Sequence, residues 1–302
     1  MLFRSTEKGE RDQKRIVYKL KVDTDSVLVA WGPPFVSSDA KALVGKLDAD
    51  SEEASAFNLC QTRGGRETPA IRIGAEEGRD KPLVWIQARQ HAWESGSSWV
   101  AQGFGEWLVS DAAGAVWLRR NYEVVLVPVM DIDNVDLGAG GKSQTPHDHN
   151  RDWSDEPHWN AVVAAKAVIK KAAENDRLAA FVDLHNPAVE DLSPFFFLPA
   201  PEIMSDAAKV NQTRFLAIAE EEMRGPLRFN GRVRSSGSGY DKEWKNISSN
   251  WVSLLGTPAI SVTLETSWNT PNSTTENYRI IGRQLGQSIS RFAERASATR
   301  EK

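Results

Sequence analysis

Short apolar runs without helical period punctuate the chain, and apolar residues recur between them at three- and four-residue spacing. Pro82 to Ile86, Tyr122 to Met130, Ala179 to Leu184, Phe195 to Leu198 and Pro258 to Leu264 read as buried strands. Phe57 to Gln61 and Ala70 to Gly74 read as two more, separated by the turn Arg63-Gly-Gly-Arg66. Helical spacing marks Trp99, Val100, Phe104, Trp107 and Leu108, then a helix from Trp159 to Ala173 with Val162, Val163, Ala167 and Ile169 repeating. Further helices are expected from Ser205 to Met223 and from Thr275 onward, the latter through Tyr278, Ile281, Leu285, Ile289 and Phe292. Ser37-Ser-Asp39 is suited to cap another, running to about Lys46. Asp131 to Trp153 is polar, glycine-rich and without period, which predicts a long loop of the functional kind. At the N-terminus, Ile16 to Lys21 alternates like an edge strand, and Val27 to Trp31 reads as a strand broken by Gly32-Pro-Pro. Strands alternating with helices predict an α/β layered fold with its sites at the strand ends.

Composition narrows this little. The 302 residues suit one α/β domain with a small appendage, and 40% hydrophobic with 26% charged residues is an ordinary globular balance. A net charge of −4 gives no reason to expect nucleic acid or an anionic membrane as partner. No stretch reaches the roughly 20 apolar residues of a membrane span, and the charged N-terminus lacks a signal peptide's apolar core. A single cysteine, Cys60, excludes an internal disulfide and a cysteine-rich zinc module, which fits a cytoplasmic setting.

Chemistry gathers where the apolar runs stop. The strand at Pro82 leads into His91-Ala-Trp-Glu94, the strand at Ala179 into His185, and the strand at Pro258 into Glu265. Two histidines and one glutamate with an open position form a ligand set of catalytic zinc, and a further carboxylate outside it can take a proton from water. Taken singly, His185 also fits a hydrogen-bonded core histidine and Glu265 a helix cap. Their shared position at the ends of buried strands favours the site.

These residues resemble the zinc metallocarboxypeptidases of the carboxypeptidase A type, nearest to their cytosolic and bacterial branch. The resemblance runs from about Trp31 to the C-terminus and rests on His91-Ala-Trp-Glu94, Asp148-His-Asn150-Arg151-Asp-Trp153, Asp183-Leu-His185-Asn and Thr263-Leu-Glu265. It implies a mixed, largely parallel twisted sheet of about eight strands with helices on both faces. It also implies one Zn²⁺ per chain on His91, Glu94 and His185, with Glu265 as general base. Asn150 and Arg151 resemble the pair that holds a substrate's free C-terminal carboxylate, a role for which a guanidinium fork is well shaped. Asp148 resembles the acceptor that orients the far nitrogen of His91, though a loop aspartate capping a turn fits it equally. The chain departs from the family pattern at Asp133-Asn-Val-Asp136, where an Asn-Pro-Asp-Gly turn is usual. Lys142 alone stands near the family's oxyanion-stabilising arginine, and Tyr240 is the candidate for its substrate-capping tyrosine. Residues 1–30 resemble the tail of a preceding β-sandwich domain, with 31–302 as the catalytic domain.

Gly138-Ala-Gly-Gly-Lys142-Ser143 imitates a phosphate loop, but Asp136 stands where that motif needs its first glycine and Pro146 blocks the following helix. The expected activity is hydrolysis of a peptide's C-terminal bond by a metal-activated water. The alternative is a zinc deacylase of N-acyl amino acids, which Asn150 and Arg151 would serve equally. A non-catalytic peptide-binding relic is a third reading, against which the intact Glu265 argues.

Overall fold

The computed structural model describes residues 32–300 without interruption and, ahead of them, residues 10–12, 15–17, 19, 21, 23, 25 and 30. The strand expected from Val27 to Trp31 lies outside the described residues except for Ala30, which is not in a strand. Strands β1 (Glu10–Asp12) and β2 (Arg15–Val17) pair antiparallel as a sheet of their own. Everything else is built on an eight-stranded sheet.

Three strands form its centre: β5 (Leu83–Ala88), β7 (Leu178–His185) and β10 (Ile260–Glu265). They run parallel, and their side chains are almost wholly buried, as continuous apolar runs require when both sheet faces are covered. On one side β6 (Glu123–Val127) continues the parallel run, followed by antiparallel β4 (Glu67–Ile73) and β3 (Ala54–Gln61). On the other side β8 (Phe195–Leu198) pairs antiparallel with β10, and the three-residue β9 (Val233–Ser235) closes the edge. The expected mixed sheet is therefore the one observed.

Side-chain alternation divides the core into two layers. Val84, Ile86, Val182, Leu184, Val262 and Leu264 point to one face, which is covered by helices α1 (Ser37–Asp50), α2 (Ser95–Leu108), α3 (Ala113–Asn121), α6 (Asp206–Glu222) and α8 (Thr275–Arg300). Leu83, Trp85, Val125 and Phe181 point to the other, covered by α5 (Asn160–Glu174), α7 (Ser248–Ser253) and Trp153. Helices α2 and α8 cross closely because Gly282 carries no side chain; a Cβ there would stand 2.0 Å from the Val100 carbonyl oxygen. Among the described residues no helix is long and apolar enough to cross a membrane.

Three local expectations are corrected. Helix α1 continues past Lys46 to Asp50, and Asp39 caps it from inside the first turn by accepting the Val36 N–H at 2.7 Å. Residues 131–153 are not one structureless loop. Asp131 accepts the Asn134 N–H and starts a short helix α4 (Ile132–Asp136), and a 3-10 turn spans His149–Arg151. The segment Asp133-Asn-Val-Asp136 is thus helical, with Asp133 receiving Thr62 Oγ1, the Gly64 N–H and Arg66.

Candidate active site

On the second face of the sheet, apolar alternation gives way to polar residues as the parallel strands end. Phe181 is followed by Asp183 and His185, and Ser261 by Thr263 and Glu265. Glu265 lies directly beside His185 in the β10–β7 register. Beyond β5 the chain turns through Arg89 and delivers His91 and then Glu94, which begins α2. The Glu94 carboxylate takes no capping bond from its own helix and turns toward the histidines instead.

The resulting cluster is tight and buried. Glu94 Oε1 lies 2.7 Å from His91 Nδ1, and Oε2 lies 2.7 Å from His185 Nδ1. Ligand-type atoms of the three residues all fall within 4.8 Å of one another. Each histidine turns its other nitrogen to a carboxylate: His91 Nε2 to Asp148 at 3.1 Å, and His185 Nε2 to Asp183 at 3.0 Å. When each Nε2–H donates outward, two Nδ1 lone pairs and a carboxylate converge on one point. Such a set requires a cation, and its N/N/O composition suits zinc. Protons meet the same requirement. Burial would lower both histidines, but Glu94 with Asp148 raises His91, and Asp183 with Glu94 raises His185 well above the usual range. Burial would raise Glu94, yet the two histidines hold it well below the ordinary carboxylate value. Asp148 is likewise held low against burial, chiefly by its bond to His91.

The residues expected around this cluster line one cleft: Lys142, Asn150, Arg151, Tyr240 and Glu265, together with His91 and His185. Burial pushes Glu265 up to about 7, with Glu94 adding to the effect, and its buried Oε2 has no hydrogen-bond partner among the described residues. Lys142 is surface-exposed yet partly desolvated by the cleft walls, which would lower its pKa, but the charges of Glu94, Tyr240 and Glu265 outweigh that and raise it. Its entry into the cleft depends on Gly141, at φ 86°, where a Cβ would stand 2.3 Å from the Ala92 nitrogen. The glycine-rich loop thus serves close approach to the His91 turn. Asp148 ties the loop together, since it accepts the Ser143 and Asn150 N–H groups, each at 2.8 Å, as well as facing His91.

Asn150 accepts the Ser248 N–H at 2.9 Å, and its amide nitrogen lies 3.3 Å from His185 Nε2. With that Nε2–H donating to Asp183, the two nitrogens are both donors, so the amide N–H groups are left for another acceptor. Arg151 donates Nη1 to the Asn150 carbonyl at 2.9 Å and sets Nε 3.2 Å from Asp241. Tyr240 is 44% exposed at the rim, its ring tilted at 47° against Phe197 with centroids 4.8 Å apart and the Arg151 guanidinium 5.8 Å from its ring centroid.

Two supports were missing from the residue-by-residue expectations. Asp183 is fully buried and collects Gln90 Nε2 at 2.5 Å, Ser248 Oγ at 2.6 Å and His185. The spacing Asp183-x-His185 in a strand puts both on one face, and a buried aspartate two before a candidate ligand was the available signal. Asp241 had no such signal, because its contact with Arg151 joins distant loops.

A fold of mixed central sheet with a buried two-histidine, one-glutamate cluster at the strand ends is that of a metal-site α/β protein. The chain belongs to the zinc carboxypeptidase family, whose pattern matches residues 42–215, and that membership implies zinc. It is 37% identical to human cytosolic carboxypeptidase 4 over 105 residues, 32% of this chain and 9% of that protein. It is 29% identical to cytosolic carboxypeptidase 6 of Caenorhabditis elegans over 203 residues, 60% of this chain and 42% of that one. The matched region is thus less than half the length of these curated relatives. A metallo-carboxypeptidase from Burkholderia cenocepacia shares the fold with a TM-score of 0.74 and 22% identity, covering 87% of this chain and 70% of that structure.

Proposed function

We propose that this chain is a zinc-dependent metallocarboxypeptidase that hydrolyses the C-terminal peptide bond of a peptide. The observation that carries the reading is the convergence of the His91, Glu94 and His185 donors with Glu265, Lys142, Asn150 and Arg151 in one cleft. His91, Glu94 and His185 would hold the ion. When bound, zinc supplies Lewis acidity that lowers the pKa of water toward ~7.

The chain's own residues do the rest. Asn150 and Arg151 hold the free α-carboxylate of the substrate by charge-assisted hydrogen bonds, with Tyr240 covering it at the rim. Glu265 takes the proton of the attacking water and passes it to the departing amine, a transfer for which a carboxyl near neutral pKa is suited. Lys142 offers its ammonium to the negative charge that develops on the carbonyl oxygen. Asp148 and Asp183 orient His91 and His185.

Family membership and the names of the relatives favour a peptide over an N-acyl amino acid as substrate. Elemental analysis of the purified protein, followed by turnover of one peptide as free acid and as C-terminal amide, tests the reading. Stoichiometric zinc and turnover confined to the free acid support it; hydrolysis of N-acyl amino acids with none of peptides overturns it.

A further inference from the structure

The turn that carries His91 and Glu94 contains a residue with no part in the chemistry above. Arg89 follows the last residue of β5 with φ 64°, in the left-handed region that a non-glycine residue seldom occupies. Glycine would adopt that backbone without strain, so the presence of a long side chain calls for a reason. The side chain is only 6% exposed. Its Nε donates to the Ala92 carbonyl and its Nη1 to the Phe35 carbonyl, each at 2.7 Å. Ala92 lies between the two ligand-bearing residues of this turn. The Arg89 backbone N–H reaches the Leu184 carbonyl at 3.4 Å, one residue before His185, and its carbonyl accepts the Asp131 N–H at 3.2 Å. Burial pushes the guanidinium down to about 10, and the charges of Glu94, Asp131 and Asp39 offset only part of that cost. One residue therefore joins the His91–Glu94 turn, the strand end bearing His185 and the start of the loop bearing Lys142 and Asp148.

We propose that Arg89 is a positioning residue for the metal, holding His91 and Glu94 at their mutual distance through the Ala92 carbonyl and docking their turn against the His185 strand. The assignment rests on the reading of His91, Glu94 and His185 as zinc ligands. A strained backbone kept beside a ligand set is the arrangement expected where pre-organisation matters more than local stability.

The test is a zinc titration against a competing chelator, run on wild type, Arg89→Gly and Arg89→Lys, with the thermal midpoint of each metal-free protein measured alongside. Arg89→Gly relieves the backbone and removes the clamp, so zinc affinity should fall about 10- to 100-fold, the range for lost supports of metal ligands. Arg89→Lys reaches only one of the two carbonyls and should fall in between. At saturating zinc the defect should lie in kcat with KM unchanged, since Arg89 does not line the substrate cleft. Zinc affinity in Arg89→Gly within about threefold of wild type, well short of that range, overturns the assignment. Should that variant fail to fold, Arg89→Lys decides on the same titration, and wild-type affinity there overturns it equally. A wild-type protein that binds no zinc would remove the ligand reading itself, a result distinguishable from failure of the Arg89 proposal alone.

Discussion

The two halves of the cleft are made differently. His185 and Glu265 end central strands, and His91 and Glu94 stand on the tight turn that joins the end of β5 to the start of α2. The parallel ladder fixes the backbones of His185 and Glu265, the Arg89 turn holds those of His91 and Glu94, and all four side chains are buried. Lys142, Asn150, Arg151 and Tyr240 stand on connecting segments, held by side-chain bonds such as Asp148 to Ser143 and Arg151 to Asp241. The first half resembles a core that happens to be polar. The second is an assembly of loops braced against it, where substrate discrimination can vary without disturbing the sheet. Substitutions on the strand ends should therefore abolish the metal or the chemistry, and those on the loops should change binding by degrees.

The largest effect belongs to the ligands. His91→Ala or His185→Ala should leave the protein without stoichiometric zinc and without measurable turnover. Elemental analysis checks this, and full zinc occupancy in either variant would take that residue out of the metal site. Next comes Glu265→Gln, which keeps the shape of the side chain and removes its proton chemistry. Zinc should stay, while kcat falls roughly 10²–10⁴-fold, the contribution of a positioned base. Near-normal turnover in a zinc-loaded variant contradicts that role.

The same contrast governs how much was legible in the sequence. Strand ends are announced by apolar runs that stop, so His91, His185 and Glu265 stood out, and the parallel register then set Glu265 beside His185. The partners that position them were harder to read. Asp183 was visible in principle by its two-residue spacing from His185, but nothing local reveals that Ser248 and Gln90 also converge on it. The loop half was legible only through family resemblance, because Arg151 with Asp241 and Asn150 with Ser248 are long-range contacts without periodicity. Short elements escaped for a related reason. Helix α4 has a single turn and a side-chain cap, and β9 is three exposed residues that join the sheet only through β8. Neither buries enough apolar surface to leave a pattern.

A sharper test of the loop half compares enzyme and substrate changes. If Arg151 and Asn150 hold the terminal carboxylate, amidating the substrate removes charge-assisted hydrogen bonds of about 1.5–3 kcal/mol each, and two of them predict a loss of at least ~100-fold in kcat/KM. Arg151→Ala should lose as much on the free acid and little more on the amide. Losses that multiply independently would mean that Arg151 does not touch that group.

The smallest effect is expected at Tyr240, and it asks whether the rim acts through its ring or its hydroxyl. The ring packs on Phe197 and receives the Arg151 guanidinium at 5.8 Å, and the side chain remains substantially exposed. A cation–π contact at such an exposed site contributes about 0.5–1 kcal/mol, which corresponds to a change of about two- to fivefold. Tyr240→Ala should therefore raise KM by about that factor, because the guanidinium loses the surface that steadies it before substrate arrives. Tyr240→Phe keeps both ring contacts and should leave KM close to wild type. Steady-state kinetics on one peptide with each variant separates the cases. If Phe is as damaging as Ala and the loss lies in kcat, the hydroxyl takes part in the reaction itself, and the division between a chemical strand half and a binding loop half fails at this residue.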